Sequence, residues 1–125
     1  MTSNKGVDVL FDPVGGDAFD AGCRAMARGG RLLVIGFASG RIPELPVNLT
    51  LVKEFSVVGV FWGSFTRHEP AVYAQNMEEL IGWYMQGKMK PHIEGRYPLA
   101  DAAKVLERVL GRGATGKIVL VPEGA

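Results

Sequence analysis

The sequence predicts an α/β fold, the C-terminal half only of a doubly wound, mostly parallel sheet. Three observations predict it. The first is the opening run Lys5-Gly6-Val7-Asp8-Val9-Leu10-Phe11-Asp12-Pro13-Val14-Gly15-Gly16, which reads as a strand ending in a glycine turn. The second is Gly29-Gly30-Arg31-Leu32-Leu33-Val34-Ile35-Gly36, a second continuously apolar strand after an amphipathic helix. Together they form a βαβ unit. The third is that the first strand opens six residues into the chain, although a strand this apolar is covered on both faces and flanked on both edges. The expectation is therefore the second half of a nucleotide-binding domain, with the first half missing.

Each element follows from local chemistry. Residues 7–11 form the first strand. Asp17 is placed to cap the helix that follows, its carboxylate accepting from free backbone N–H groups. Phe19, Cys23, Met26 and Ala27 fall at i, i+4, i+7 and i+8, a buried helical stripe that Gly29 and Gly30 would stop. Residues 31–36 form the second strand, central in the sheet. A long connection through Pro43 and Pro46 leads to a short helix over 49–53, with Asn48 as its cap. The third strand runs over 55–61, β-branched and aromatic, with Phe55 and Phe61 at its ends. Pro70 suits a first helical position. Beyond it Tyr73, Met77, Leu80, Ile81 and Tyr84 make an apolar face, and Gly87 and Pro91 end the helix. A short strand over 92–97, a helix from Leu99 to Leu110, a turn over 111–116 and a last strand over 117–121 complete the chain. The domain division is placed at 91: residues 1–91 belong to the sheet domain and residues 92–125 to a closing helix and strand.

Composition excludes several classes of function. Apolar residues make up 47% and charged residues 22%, ordinary for a globular protein, and the net charge of +1 gives no electrostatic case for nucleic acid or an anionic membrane. No apolar run approaches the ~20 residues a membrane-spanning helix needs. Cys23 is the single cysteine, so no internal disulfide forms and a cytoplasmic location is expected. Glycine is abundant, at 17 residues, and clusters where strands end or helices begin.

Several motifs invite a functional reading. Gly111, Gly113 and Gly116 spell the dinucleotide fingerprint but follow a helix and precede a strand, the reverse of what a pyrophosphate site needs. They read as a helix-to-strand turn. Asp12-Pro13-Val14-Gly15-Gly16, Gly36-Phe37-Ala38-Ser39-Gly40 and Phe61-Trp62-Gly63-Ser64 close three strands on one sheet edge, where open α/β sheets bind ligands. Arg112 and Lys117 flank the last turn, and an arginine fork suits a 2′-phosphate. His68, His92 and Cys23 lack ligand spacing, so no metal site is expected. No catalytic residue is identified: there is no nucleophile elbow, and Cys23 belongs to the core stripe.

The order of these pieces resembles the Rossmann domain of medium-chain dehydrogenases/reductases, in the zinc-independent quinone oxidoreductase branch. Residues 6–16 resemble its fourth strand, 27–37 its fifth, and 45–49 with 55–60 the approach to its sixth. Residues 97–103 and 112–120 resemble its C-terminal helix and closing strand. The resemblance implies that Val14, Gly15, Phe37, Ser39, Phe61, Trp62 and Gly63 surround the nicotinamide and its ribose, and that Arg112 contacts the cofactor. It implies NADPH as cofactor of the parent protein, with weak or absent binding by this chain alone, and direct hydride transfer to quinones or activated unsaturated carbonyls. It also implies a homodimer in which the 55–61 strand pairs with its two-fold mate. The glycine fingerprint and the N-terminal catalytic domain of that family are absent, so the chain is expected to be a fragment, inactive alone. Two other readings stand beside this one: a fragment of an S-adenosylmethionine-type methyltransferase, from the wording of residues 29–35, and a non-catalytic α/β dimerisation module.

Overall fold

The computed structural model describes residues 2–124. The elements run β1 (Val7–Asp12), α1 (Gly16–Ala25), β2 (Met26–Val34), α2 (Asn48–Lys53), β3 (Ser56–Gly59), α3 (Trp62–His68) and α4 (Pro70–Met85). They continue with β4 (Ile93–Pro98), a 3₁₀ turn (Leu99–Asp101), α5 (Ala102–Leu110) and β5 (Lys117–Val121). Two compact units divide the chain at Met1–Tyr73 and Ala74–Ala125.

In the first unit β1, β2 and β3 form a parallel sheet in that order, as the βαβ reading expects. One face carries the core: Phe19 and Cys23 of α1, Met26 and Leu32 of β2, and Phe55 are buried, with Leu10, Leu45, Leu49 and Val57 packed around them. The opposite face bears Val9, Phe11 and Val58, which are exposed among the described residues. The expectation of strands covered on both faces is met on one face only.

Three local expectations are corrected. The first concerns the end of α1, which is Ala25, not the Gly29-Gly30 pair. Met26 takes extended backbone at once, so Met26 and Ala27 are buried from a strand and not from a helix. The glycines instead sit in an irregularity of β2, where the register steps from Val7↔Met26 to Val9↔Arg31. Gly29, at φ +72°, donates its N–H to the Glu54 carbonyl at 2.6 Å, and Arg28 forms an ion pair with the Glu54 carboxylate. Gly6 permits the tight start of β1, because a Cβ there would lie 2.6 Å from the Ala25 carbonyl oxygen.

The second correction concerns caps. Gly15 precedes α1 with no side-chain cap, and Asp17 bonds Arg41 instead. Likewise Val47, not Asn48, is the residue before α2. The third concerns β3, which spans Ser56–Gly59 and is shorter than the expected 55–61 strand, and which is followed by α3, a helix the sequence reading does not contain. Helix α4 starts at Pro70 as expected, yet none of its residues is buried.

In the second unit β4 and β5 pair in parallel, joined by the 3₁₀ turn, α5 and the turn over 111–116. The glycine-rich run there is a helix-to-strand turn, as its context requires.

Candidate functional site

The carboxyl ends of β1, β2 and β3 lie on one edge of the sheet because the strands are parallel. The turn after β1 is organised by Asp12. This buried carboxylate accepts the N–H groups of Val14 and Gly15, both at 2.9 Å through Oδ1. An aspartate three residues before a glycine makes such a turn by bonding its own backbone. Its carbonyl accepts the N–H of Ile35 at 2.9 Å, and the Val14 carbonyl accepts that of Ser39 at 2.9 Å. The loops after β1 and β2 are thereby knitted together.

Gly15 and Phe37 are brought into contact by this knitting. Gly15 holds φ +67°, and a Cβ there would lie 2.9 Å from Phe37 Cδ1. Ser39 lies against Gly16, where a Cβ would meet Ser39 Oγ at 2.8 Å. Arg41 closes the loop onto α1, donating to Asp17 at 3.0 Å and Asp20 at 2.5 Å. The bond to Asp20, seconded by the one to Asp17, raises the Arg41 pKa and keeps the guanidinium charged.

At the end of β3, Phe61, Trp62 and Gly63 line a hollow of about 440 Å³ together with Phe11, Ile35 and Val60. A second hollow, about 420 Å³, is lined by Val34, Ile35, Phe37, Gly59, Val60 and Phe61. Ile35, Val60 and Phe61 are common to both, so apolar surface continues from Phe37 to Trp62. Trp62 is steadied from behind by Phe65 and Tyr73, at ring separations of 5.2 and 5.8 Å. The Arg67 guanidinium lies 5.8 Å over the Phe61 ring.

Seven of the eight residues singled out from sequence thus lie just beyond the carboxyl ends of three neighbouring strands, Trp62 and Gly63 in the first turn of α3. Arg112 lies in the second unit, on the turn over 111–116, at φ +57° and exposed. Asp12 and Arg41 are the residues that sequence reasoning missed. The spacing Asp-x-x-Gly is a legible signal for the first. Arg41 carries no local signal, since its partners are 24 and 21 residues away.

The arrangement can receive a flat apolar ring against glycine backbone and aromatic edges. Cys23 is buried in the core, and burial, with Asp20 nearby, pushes its thiol pKa up. Among the described residues no group of three or more His, Cys, Asp or Glu side chains comes together to hold a metal ion. These residues do not fit a zinc ion.

Residues 1–120 match the family model described as zinc-binding dehydrogenase. Quinone oxidoreductase-like protein 2 homolog of Nematostella vectensis is 34% identical over 121 residues, covering 96% of this chain and 33% of the relative. Human quinone oxidoreductase is 33% identical over 120 residues, covering 94% of this chain and 34% of the relative. A mycobacterial structure described as complexed with NADPH superposes with a TM-score of 0.85 at 28% identity, over 97% of this chain and 37% of that one. The chain spans about a third of the length of the curated relatives it matches. The parallel strands, the order of elements and a match over nearly the whole sequence lead to one conclusion: this chain belongs to the zinc-binding dehydrogenase family, as a Rossmann-like C-terminal portion akin to the quinone oxidoreductases.

Proposed function

We propose that the chain is the nicotinamide-side portion of an NADPH-dependent oxidoreductase that reduces quinones or activated α,β-unsaturated carbonyls. The observation that carries this reading is the apolar surface running from Phe37 to Trp62 across three parallel strand ends, opened by glycine at Gly15 and Gly63. Bound NADPH supplies a hydride by direct transfer. The protein's part is to hold and orient. Gly15, fixed by Asp12, and Val14 offer backbone to the ring and its ribose. Phe37, Phe61 and Trp62 exclude water, and Ser39 offers a hydroxyl. The family and its NADPH-bound relative support this reading and set aside the methyltransferase alternative.

Two further proposals accompany it. The chain forms a homodimer through β3, as the sequence resemblance implies. It works in the cytoplasm, in keeping with a lone buried thiol; no helix among the described residues is long and apolar enough to cross a membrane.

The test is a titration of the purified chain with NADPH and with S-adenosylmethionine. Weak binding of the nicotinamide compound alone is the expected result, and binding of the sulfonium compound alone overturns the proposal. Quinone-dependent NADPH oxidation by the chain is expected to stay at background, because two-thirds of each relative's length is not represented. Measurable turnover would refute that part.

A further inference from the structure

Helix α1 and the segment that leads into α2 border a hollow of about 460 Å³. Every residue lining it belongs to the first unit, and none is shared with the two hollows at the strand ends. Its volume falls within the roughly 300–1,000 Å³ of small-molecule sites. The floor is apolar and fixed: Phe19 and Cys23 of α1 are buried in the core, and Leu49 of α2 packs against that core. Ile42 and Pro46 extend the apolar lining along the other wall, where Ile42 is exposed.

That wall is tied down at its start and left unpaired beyond it. The Arg41 carbonyl accepts the Gly16 N–H at 3.2 Å, and its guanidinium pairs with Asp17 and Asp20 of α1. Pro43 and Pro46 fix their own φ and push the residues before them, Ile42 and Leu45, into extended backbone. Residues 42–45 lie outside every helix and strand, and among the described residues their N–H and C=O groups form no backbone hydrogen bond. Extended backbone with unpaired donors and acceptors is an edge that a peptide joins.

The charges on the hollow are of two kinds. Arg41 and Asp20 satisfy one another. Arg24 of α1 and Glu44 of the facing segment also line it, are exposed, and take part in no ion pair among the described residues. They are opposite in sign, one from each wall, and they do not pair with each other.

We propose that this hollow binds a short apolar peptide with free ends, a dipeptide in its smallest form. Its ammonium meets Glu44, its carboxylate meets Arg24, its amide lies along the 42–45 backbone, and an apolar side chain rests on Phe19 and Leu49. The signs of the two charges allow only this direction, and the arginine fork matches a carboxylate. Burial of the side chain supplies most of the affinity, because exposed ion pairs are weak; the two charges set orientation and select for both termini. The site is independent of the NADPH reading.

The experiment is a nitrogen–proton NMR titration of the whole chain with three compounds. They are leucyl-phenylalanine, its N-acetyl form, which lacks the ammonium, and its C-terminal amide, which lacks the carboxylate. The free dipeptide is expected to shift amides within 19–24 and 42–49 saturably. Each blocked form is expected to bind about threefold more weakly. Arg24→Gln is expected to cost the free dipeptide the same factor and to leave the C-terminal amide unaffected. Glu44→Gln is expected to do so for the free dipeptide and to leave the N-acetyl form unaffected. The three compounds on the unaltered chain decide the matter even if a variant fails to fold. Equal affinity for all three overturns the proposal, as does a folded variant that weakens free and blocked forms alike. Glycylglycine binding as tightly as leucyl-phenylalanine overturns the role of the apolar floor. Absence of saturable shifts in the two segments overturns the site itself. Nicotinamide binding is read separately, at Gly15, Phe37 and Trp62, so the two readings fail independently.

Discussion

At the scale of single residues, two positions separate packing from function. Cys23 is 2% exposed and its thiol is held protonated by burial, with Asp20 adding to the effect. Because its folded pKa is raised, the thiol favours the folded state at neutral pH, and that contribution is lost only as the pH rises above the free-cysteine value of ~8.5. Colourless thiol reagents and chromogenic disulfides are expected to leave it unmodified at pH 7 until denaturant is added; rapid labelling of the folded chain would contradict the burial. Gly15 tests the site. At φ +67°, with Phe37 Cδ1 2.9 Å from where a Cβ would stand, Gly15→Ala meets both backbone strain and a clash. The expected loss is about 1–3 kcal/mol in urea unfolding, with NADPH affinity falling alongside as Phe37 is displaced. Neither quantity changing would mean that the loops tolerate a side chain there and are not the close-fitting cradle described. Asp12 explains why sequence alone could not carry this far. Its place at the end of an apolar strand is legible, but its burial at 4% depends on the two loops folding over it.

At the scale of elements, the strand cores were legible and their ends were not. Leu10↔Leu32↔Val57 sit in register because three apolar runs of similar length pair in parallel. The junction of α1 and β2 was illegible because Met26 and Ala27 continue the helical spacing of Phe19 and Cys23. The decision is tertiary: Gly29 needs a positive φ where it meets the Glu54 carbonyl, and that partner is 25 positions away. Helix α3 was missed because Phe61 and Trp62 are good strand formers, whereas the backbone turns helical at Trp62. Strands β4 and β5 and the turn before β5 were legible, whereas their pairing and its electrostatics were not. Since the Thr115 N–H, with Arg108 nearby, depresses the Glu94 pKa in the folded chain, the contribution of Glu94 is present above the free-glutamate value of ~4.3 and is lost as pH falls through the lower folded value. Comparing the unaltered chain with Glu94→Gln by urea unfolding at several pH values should give a stability gap that closes with acidification. A gap independent of pH would place the effect of Glu94 in packing and not in its charge.

At the scale of the whole molecule, the sheet leaves two lateral edges, and the proposed dimer uses one of them. In β3 the Val60 N–H donates inward, to the Val34 carbonyl at 2.9 Å. Successive N–H groups of a strand point to opposite sides, so the N–H of Gly59 points away from β2. Gly59 has nothing within 4 Å of where a Cβ would stand, which leaves room for a ring. Gly59→Pro therefore removes an outward donor and spares the ladder to β2, the one place a proline is tolerated in such a sheet. Sedimentation equilibrium of the unaltered chain is expected to give a dimer and Gly59→Pro a monomer with unchanged unfolding midpoint. The other edge, β1, carries exposed Val9 and Phe11 and supplies the competing outcome. A dimer that survives Gly59→Pro but dissociates when Val9 is replaced by lysine would move the interface to β1, and a chain monomeric at every concentration would remove it altogether.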